Sequence, residues 1–74
     1  MRLVDLPLNV LAVVKDVKVN KDLALRLYNM GFRVGNKVEV VRIAPMKDPI
    51  EVFTKGFYIA LRVKDASNIF VEKL

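Results

Sequence analysis

The stretch Ile50–Arg62, IEVFTKGFYIALR, constrains the fold more than any other part of this sequence. Two β-branched and aromatic runs flank Lys55-Gly56, a pair suited to the tight two-residue turn of a β-hairpin. With Lys55-Gly56 as the turn, the cross-strand pairs become Thr54–Phe57, Phe53–Tyr58, Val52–Ile59, Glu51–Ala60 and Ile50–Leu61. Side chains alternate across a strand, so Ile50, Val52, Ile59 and Leu61 share the core face. Glu51, Phe53, Lys55, Tyr58 and Arg62 take the other face. The chain has 74 residues, 54% of them hydrophobic. That length predicts one domain, residues 1–74, and the composition predicts a packed core rather than disorder.

The other elements follow from the same kind of reading. KVEVVRI (37–43) predicts a strand whose alternation slips: Val38 and Val40 share one face, and so do Val41 and Ile43. Such a slip points to a bulge or a sharp bend. VLAVVKDVKV (10–19) predicts the first strand, with Leu11, Val13, Val17 and Val19 on one face and Lys15 breaking the pattern. NKDLALRLYNMG (20–31) predicts the one helix. Asn20 is its N-cap, Asp22 lies in the first turn, and Leu23, Leu27 and Met30 form the buried stripe, widened by Ala24. Gly31 ends it in the left-handed conformation, and Phe32 is placed to fold back onto the last turn. Gly35-Asn36 reads as a second turn, Leu3 and Leu6 as an N-terminal turn tucked onto the core, KDAS (64–67) as a turn and NIFVEK (68–73) as a closing strand. Five short strands with one helix between the first and second predict a mainly β, small bent barrel.

Composition removes whole classes of chemistry. There is no cysteine and no histidine, so disulfides, thiolate metal sites and imidazole general bases are excluded. The eight carboxylates are scattered, without a D-x-D pair, so Asp48, Glu51, Asp65 and Glu72 read as surface charges rather than metal ligands. No nucleophile stands beside a base and no glycine loop cradles a phosphate, so the chain is not expected to be an enzyme or to need a cofactor. Asp5 and Pro7 interrupt the N-terminus, and no apolar run nears the ~18 residues of a spanning helix. A cytoplasmic location without membrane insertion is the expectation. The net charge of +5 favours an anionic partner.

One ordered set of residues carries a family resemblance. Leu27-x-x-Met30-Gly31 is followed by Gly35 and a β-branched strand. Then come Arg42-x-Ala44-Pro45-x-x-Asp48-Pro49-Ile50 and Ile59-Ala60-Leu61-Arg62, with Ala66 and Ile69 behind them. This pattern resembles the FeoA family and covers nearly the whole chain. The chain departs from the family pattern at Val34, usually proline, at Lys47, usually glycine, and near Asn9, where a glycine is also expected. The resemblance implies an SH3-like barrel, an accessory of the FeoB membrane transporter in ferrous iron uptake. Similar domains occur at the C-terminus of metal-responsive repressors.

Two surfaces are candidate partner-binding sites. Pro45 and Pro49 fix φ and restrict the residues before them, and Asp48 is placed to accept backbone N–H groups within the turn. The loop is therefore stiff. It reads as a connector between strands, or as a rigid presenter of Met46 and Lys47 at low entropic cost. Phe53, Tyr58 and Arg62 on the hairpin's outer face read as covered by the helix or N-terminal segment, or else as an exposed aromatic–arginine patch. The leading function is protein interaction with the transporter. The alternatives are a nucleic-acid-binding barrel and a metal-sensing domain. Against nucleic acid, most aromatics fall in the core pattern instead of recurring at alternate exposed positions. Titration calorimetry with ferrous iron is expected to show nothing beyond weak surface binding. A one-to-one site of micromolar affinity or better would overturn that expectation.

Overall fold

The computed structural model describes all 74 residues. After a 3-10 turn at Leu3–Asp5 come β1 (Ala12–Val17), α1 (Lys21–Asn29), β2 (Lys37–Ile43), β3 (Ile50–Thr54), β4 (Phe57–Leu61), α2 (Val63–Ala66) and β5 (Ile69–Lys73). The five strands form one antiparallel sheet in the order β4-β3-β2-β1-β5. β2 pairs with β1 only through Lys37 and Val38, and with β3 from Glu39 onward. It therefore serves two halves of the sheet, and the sheet bends around it. Leu3 and Leu6 close the bend from the N-terminal side and are buried, as the sequence predicts.

Two bulges shape the strands. Between Val40 and Arg42 the register with β3 shifts by one, leaving Val41 as the extra residue where the alternation slips. The second bulge corrects an expectation. In β1 the core-facing residues are Ala12 and Val14, while Leu11 is exposed and Val13 only half-buried. The register with β5 shifts between Val14 and Asp16, so Lys15 is the extra residue. Each extra residue exchanges the two faces. Beyond Lys15, Val17 and Val19 return to pack against the core. One face could not run from Leu11 to Val19 because the strand changes phase in the middle.

The hairpin has the register that its turn dictates, from Thr54–Phe57 to Ile50–Leu61. Lys55 (φ 51°) and Gly56 (φ 84°) are both left-handed, the combination that matches strand twist in a two-residue turn. Ile50, Val52, Ile59 and Leu61 enter a core cluster of 15 residues. Thr54 is buried too, and its hydroxyl donates to the Lys37 carbonyl at 2.7 Å. That bond satisfies a polar group which the apolar pattern alone would have left out of the interior.

α1 begins where Asn20 Oδ1 accepts the Leu23 N–H at 2.9 Å. Leu27 is buried, with Leu23 and Met30 half-buried beside it against the core. At its end the Phe32 N–H donates to the Leu27 carbonyl (2.8 Å) and the Gly31 N–H to that of Tyr28 (3.1 Å). These two bonds make a Schellman motif, and buried Phe32 and Leu27 supply its hydrophobic contact. The motif needs Gly31 at φ 90°. The segment read as a plain turn at 64–67 is instead the single helical turn α2, with the Ser67 hydroxyl donating to the Val63 carbonyl at 2.8 Å.

A Cβ at Gly31 would lie 2.8 Å from Lys55 Cγ and 2.9 Å from Lys55 Cβ, besides straining the backbone. Gly31→Ala is therefore expected to cost about 1 kcal/mol or more. A urea melt with an unchanged midpoint would contradict this reading of the helix end.

Candidate functional site

The outer face of β2, β3 and β4 is built in cross-strand rows. One row is Glu39–Phe53–Tyr58 and the next is Arg42–Glu51–Ala60. Arg42 reaches the second row because the Val41 bulge brings it opposite Glu51. Phe53 and Tyr58 stack with ring centroids 4.9 Å apart and planes tilted by 50°. Phe53 is half-buried and Tyr58 is 65% exposed. Tyr58 is not covered by the helix, which stands across a groove from it. The N-terminal segment bridges β2 at Leu8–Val40 and β5 at Arg2–Phe70.

The loop between β2 and β3 stands at the other end of the hairpin. The Ala44 N–H donates to the Pro49 carbonyl (3.0 Å) and the Lys47 N–H to that of Ala44 (2.7 Å), closing the excursion on itself. Met46, at its tip, is 88% exposed, and Lys47 is exposed beside it. Asp48 corrects an expectation. Its carboxylate does not bond within the turn but accepts the Val63 N–H at 3.0 Å. Arg62, the N-cap of α2, makes no side-chain cap of its own. Asp48 caps α2 from fifteen residues away in sequence and pins the loop to the end of β4. A sequence pattern shows local caps, and this one is tertiary.

The five candidate residues thus fall into two groups. Phe53 and Tyr58 lie near the hairpin turn, while Met46, Lys47 and Arg62 lie at the opposite end. Tyr58 and Arg62 are four residues apart on one chain, roughly 13 Å in a strand. Between the groups, Arg42, Ala44, Pro49, Ile50, Glu51 and Ala60 line a shallow hollow of about 140 Å³. Arg42, Glu51 and Ala60 are the residues that the sequence-level choice omitted. The slip at Val41 was the signal that could have placed Arg42 on this face. The surface offers aromatic burial, cationic side chains and two acidic ones, Glu39 and Glu51. No three His, Cys, Asp or Glu side chains gather to form a metal-binding group.

The FeoA domain family model matches residues 1–73. The chain belongs to the FeoA family. Among solved structures, the FeoA protein of Chlorobium tepidum is 35% identical, with a TM-score of 0.96, covering all of this chain and 70% of that one. The Stenotrophomonas maltophilia FeoA complexed with zinc, described as a prokaryotic SH3 domain protein, is 34% identical with a TM-score of 0.81. It covers 97% of this chain and 89% of its own. A curated relative, an Fe(2+) transport protein A/Fe(2+) transporter FeoB fusion protein of Porphyromonas gingivalis, is 35% identical over 72 residues. The match takes in 97% of this chain but 8% of that protein. The bent barrel is thus an SH3-like fold.

Lys47, where the FeoA pattern usually has glycine, and Asn9, near where one is expected, stand at φ 67° and φ 61°. The left-handed geometry is kept here without the residue that adopts it most easily; asparagine tolerates it better than lysine does.

Asp48→Ala removes the cap from α2 and the anchor from the loop. It is expected to cost about 1 kcal/mol in a urea melt, the usual value of a lost N-cap. Amide exchange at Val63 should quicken in the same variant, and unchanged protection there would mean that the carboxylate does not hold α2.

Proposed function

We propose that this chain serves ferrous iron uptake as a cytoplasmic docking domain, contacting the cytosolic part of an FeoB-type transporter and performing no reaction itself. The observation that carries the reading is the Porphyromonas gingivalis relative, in which an FeoA-type sequence and FeoB share one polypeptide. Covalent joining makes an encounter intramolecular and raises its effective concentration. Where the two are separate chains, an interface must hold them together.

The proposed interface is the outer hairpin face with its adjoining loop. Phe53, Tyr58 and Met46 would supply apolar burial at the centres of the two groups. Lys47 and Arg62 would steer an acidic partner, in keeping with the net charge of +5. The loop's closing bonds and the Asp48 anchor hold Met46 and Lys47 in place before contact, so little ordering remains to be done on binding. No helix of this chain is long and apolar enough to cross a membrane; in this reading the transporter supplies that part.

Tyr58→Ala is expected to weaken binding to the transporter's cytosolic part by about 2 kcal/mol, as measured by calorimetry. Its urea midpoint should barely move, because the ring is already largely in water. Lys47→Glu is expected to slow association in stopped-flow mixing and to change its salt dependence, with a smaller effect on dissociation. A complex indifferent to both substitutions would put the docking face elsewhere.

A further inference from the structure

β4 is the last strand of the sheet, and its outer edge is open. The hairpin register determines which of its backbone groups are free. In a two-residue hairpin the pair flanking the turn exchanges both hydrogen bonds, and bonded and non-bonded pairs then alternate. Thr54–Phe57, Val52–Ile59 and Ile50–Leu61 are therefore the bonded pairs. Tyr58 and Ala60 turn their N–H and C=O groups the other way, toward the open edge. Neither residue takes part in any turn, loop or side-chain bond elsewhere in the chain.

That edge does not face open water across its whole length. A groove of about 460 Å³ runs between β4 and α1, lined on the helix side by Leu23, Arg26, Leu27 and Met30. On the strand side its lining is the unbroken run Tyr58–Arg62. Alternate residues would line the face of a strand; consecutive ones line its edge. Two arginines, Arg26 and Arg62, border the groove against one acidic side chain, Asp65. Neither arginine belongs to any of the three ion pairs in the molecule.

We infer that this groove takes an extended polypeptide segment that adds to β4 as a sixth strand, with apolar residues alternating with acidic ones. The unpaired amide and carbonyl groups of Tyr58 and Ala60 would form the ladder, the mode by which sheet edges take up peptides. Alternation follows from the pleat: side chains turned inward meet Leu23 and Met30, and those turned outward lie on the side of Arg62. The two free arginines make carboxylates the favoured outward groups. The site borders the docking surface proposed above and shares the outward residues of β4 with it, Tyr58 and Ala60, together with Arg62. It needs no transporter, so either reading can fail without the other.

The test uses the whole chain, isotope-labelled, and a synthetic peptide of alternating Glu and Val with blocked ends. Saturable binding is expected, with the largest amide shifts at Tyr58 and Ala60. Ala60→Pro removes one edge N–H that β3 does not use, and an edge strand tolerates it. It is expected to weaken binding by about tenfold or more. If that variant does not fold, two other arms decide the matter. A peptide N-methylated along one edge should lose binding, and Arg62→Glu should lose about tenfold for the acidic peptide while gaining for a Lys–Val version. Equal binding of a scrambled peptide would overturn the inference. So would shifts confined to the 44–49 loop, or concentration-dependent shifts at Tyr58 and Ala60 without peptide, which would mark the edge as a contact between two copies of this chain.

Discussion

A chain of this size can enclose a core only if its sheet folds over upon itself, and the bulges at Lys15 and Val41 make that possible. Each adds a residue to one strand of a pair, bends it and tightens its twist. β2 holds β1 with Lys37 and Val38 and β3 from Glu39 onward, and the Val41 bulge bends it within the second stretch. Because of the Lys15 bulge, β1 can send Ala12 and Val14 inward at one end and Val17 inward at the other. The core cluster gathers side chains from every strand, from Leu27 and Ala66 of the helices, and from Leu3 and Leu6 of the N-terminal turn. Without the phase change at Lys15, Asp16 rather than Val17 would face the core.

The same bulges build the outer surface. A strand that changes phase delivers a different set of residues to the solvent side, and Arg42 comes opposite Glu51 in this way. The hollow that Arg42 lines is thus a by-product of the solution to the packing problem, while Phe53 and Tyr58 belong to the regular hairpin beside it. The edge of β4 has a related origin. A sheet that bends without closing completely leaves an unpaired strand, and natural proteins usually blunt such edges. Here α1 stands alongside and leaves a gap.

What could be read from the residue order divides by the range of the interaction. The hairpin register, the helix with its Asn20 cap and Gly31 stop, and the Val41 slip each depend on residues a few positions apart, and all appear in the structure. The misread features depend on distant partners. Lys15 looked like a blemish in a strand, because only its pairing with β5 reveals a bulge. Asp48 looked like a local turn-holder, because its acceptor role is completed by Val63, fifteen residues away at the start of α2. The division of Met46, Lys47 and Arg62 from Phe53 and Tyr58 was hidden for the same reason. All lie close to one hairpin in sequence, but its two ends are different places on the surface. The family pattern narrowed this gap.

The arrangement at β5 has a topological consequence. The Met1 ammonium donates to the Val71 carbonyl at 3.0 Å, the Val71 N–H donates to the Met1 carbonyl at 2.8 Å, and the Leu74 N–H donates to that of Leu11 at 3.2 Å. Residues 1 and 74 therefore both lie along β5, the strand farthest from β4 in the sheet order. A polypeptide tether attached at either end would depart from that side. A tether would thus be carried by one end strand of the sheet, and the open edge by the other.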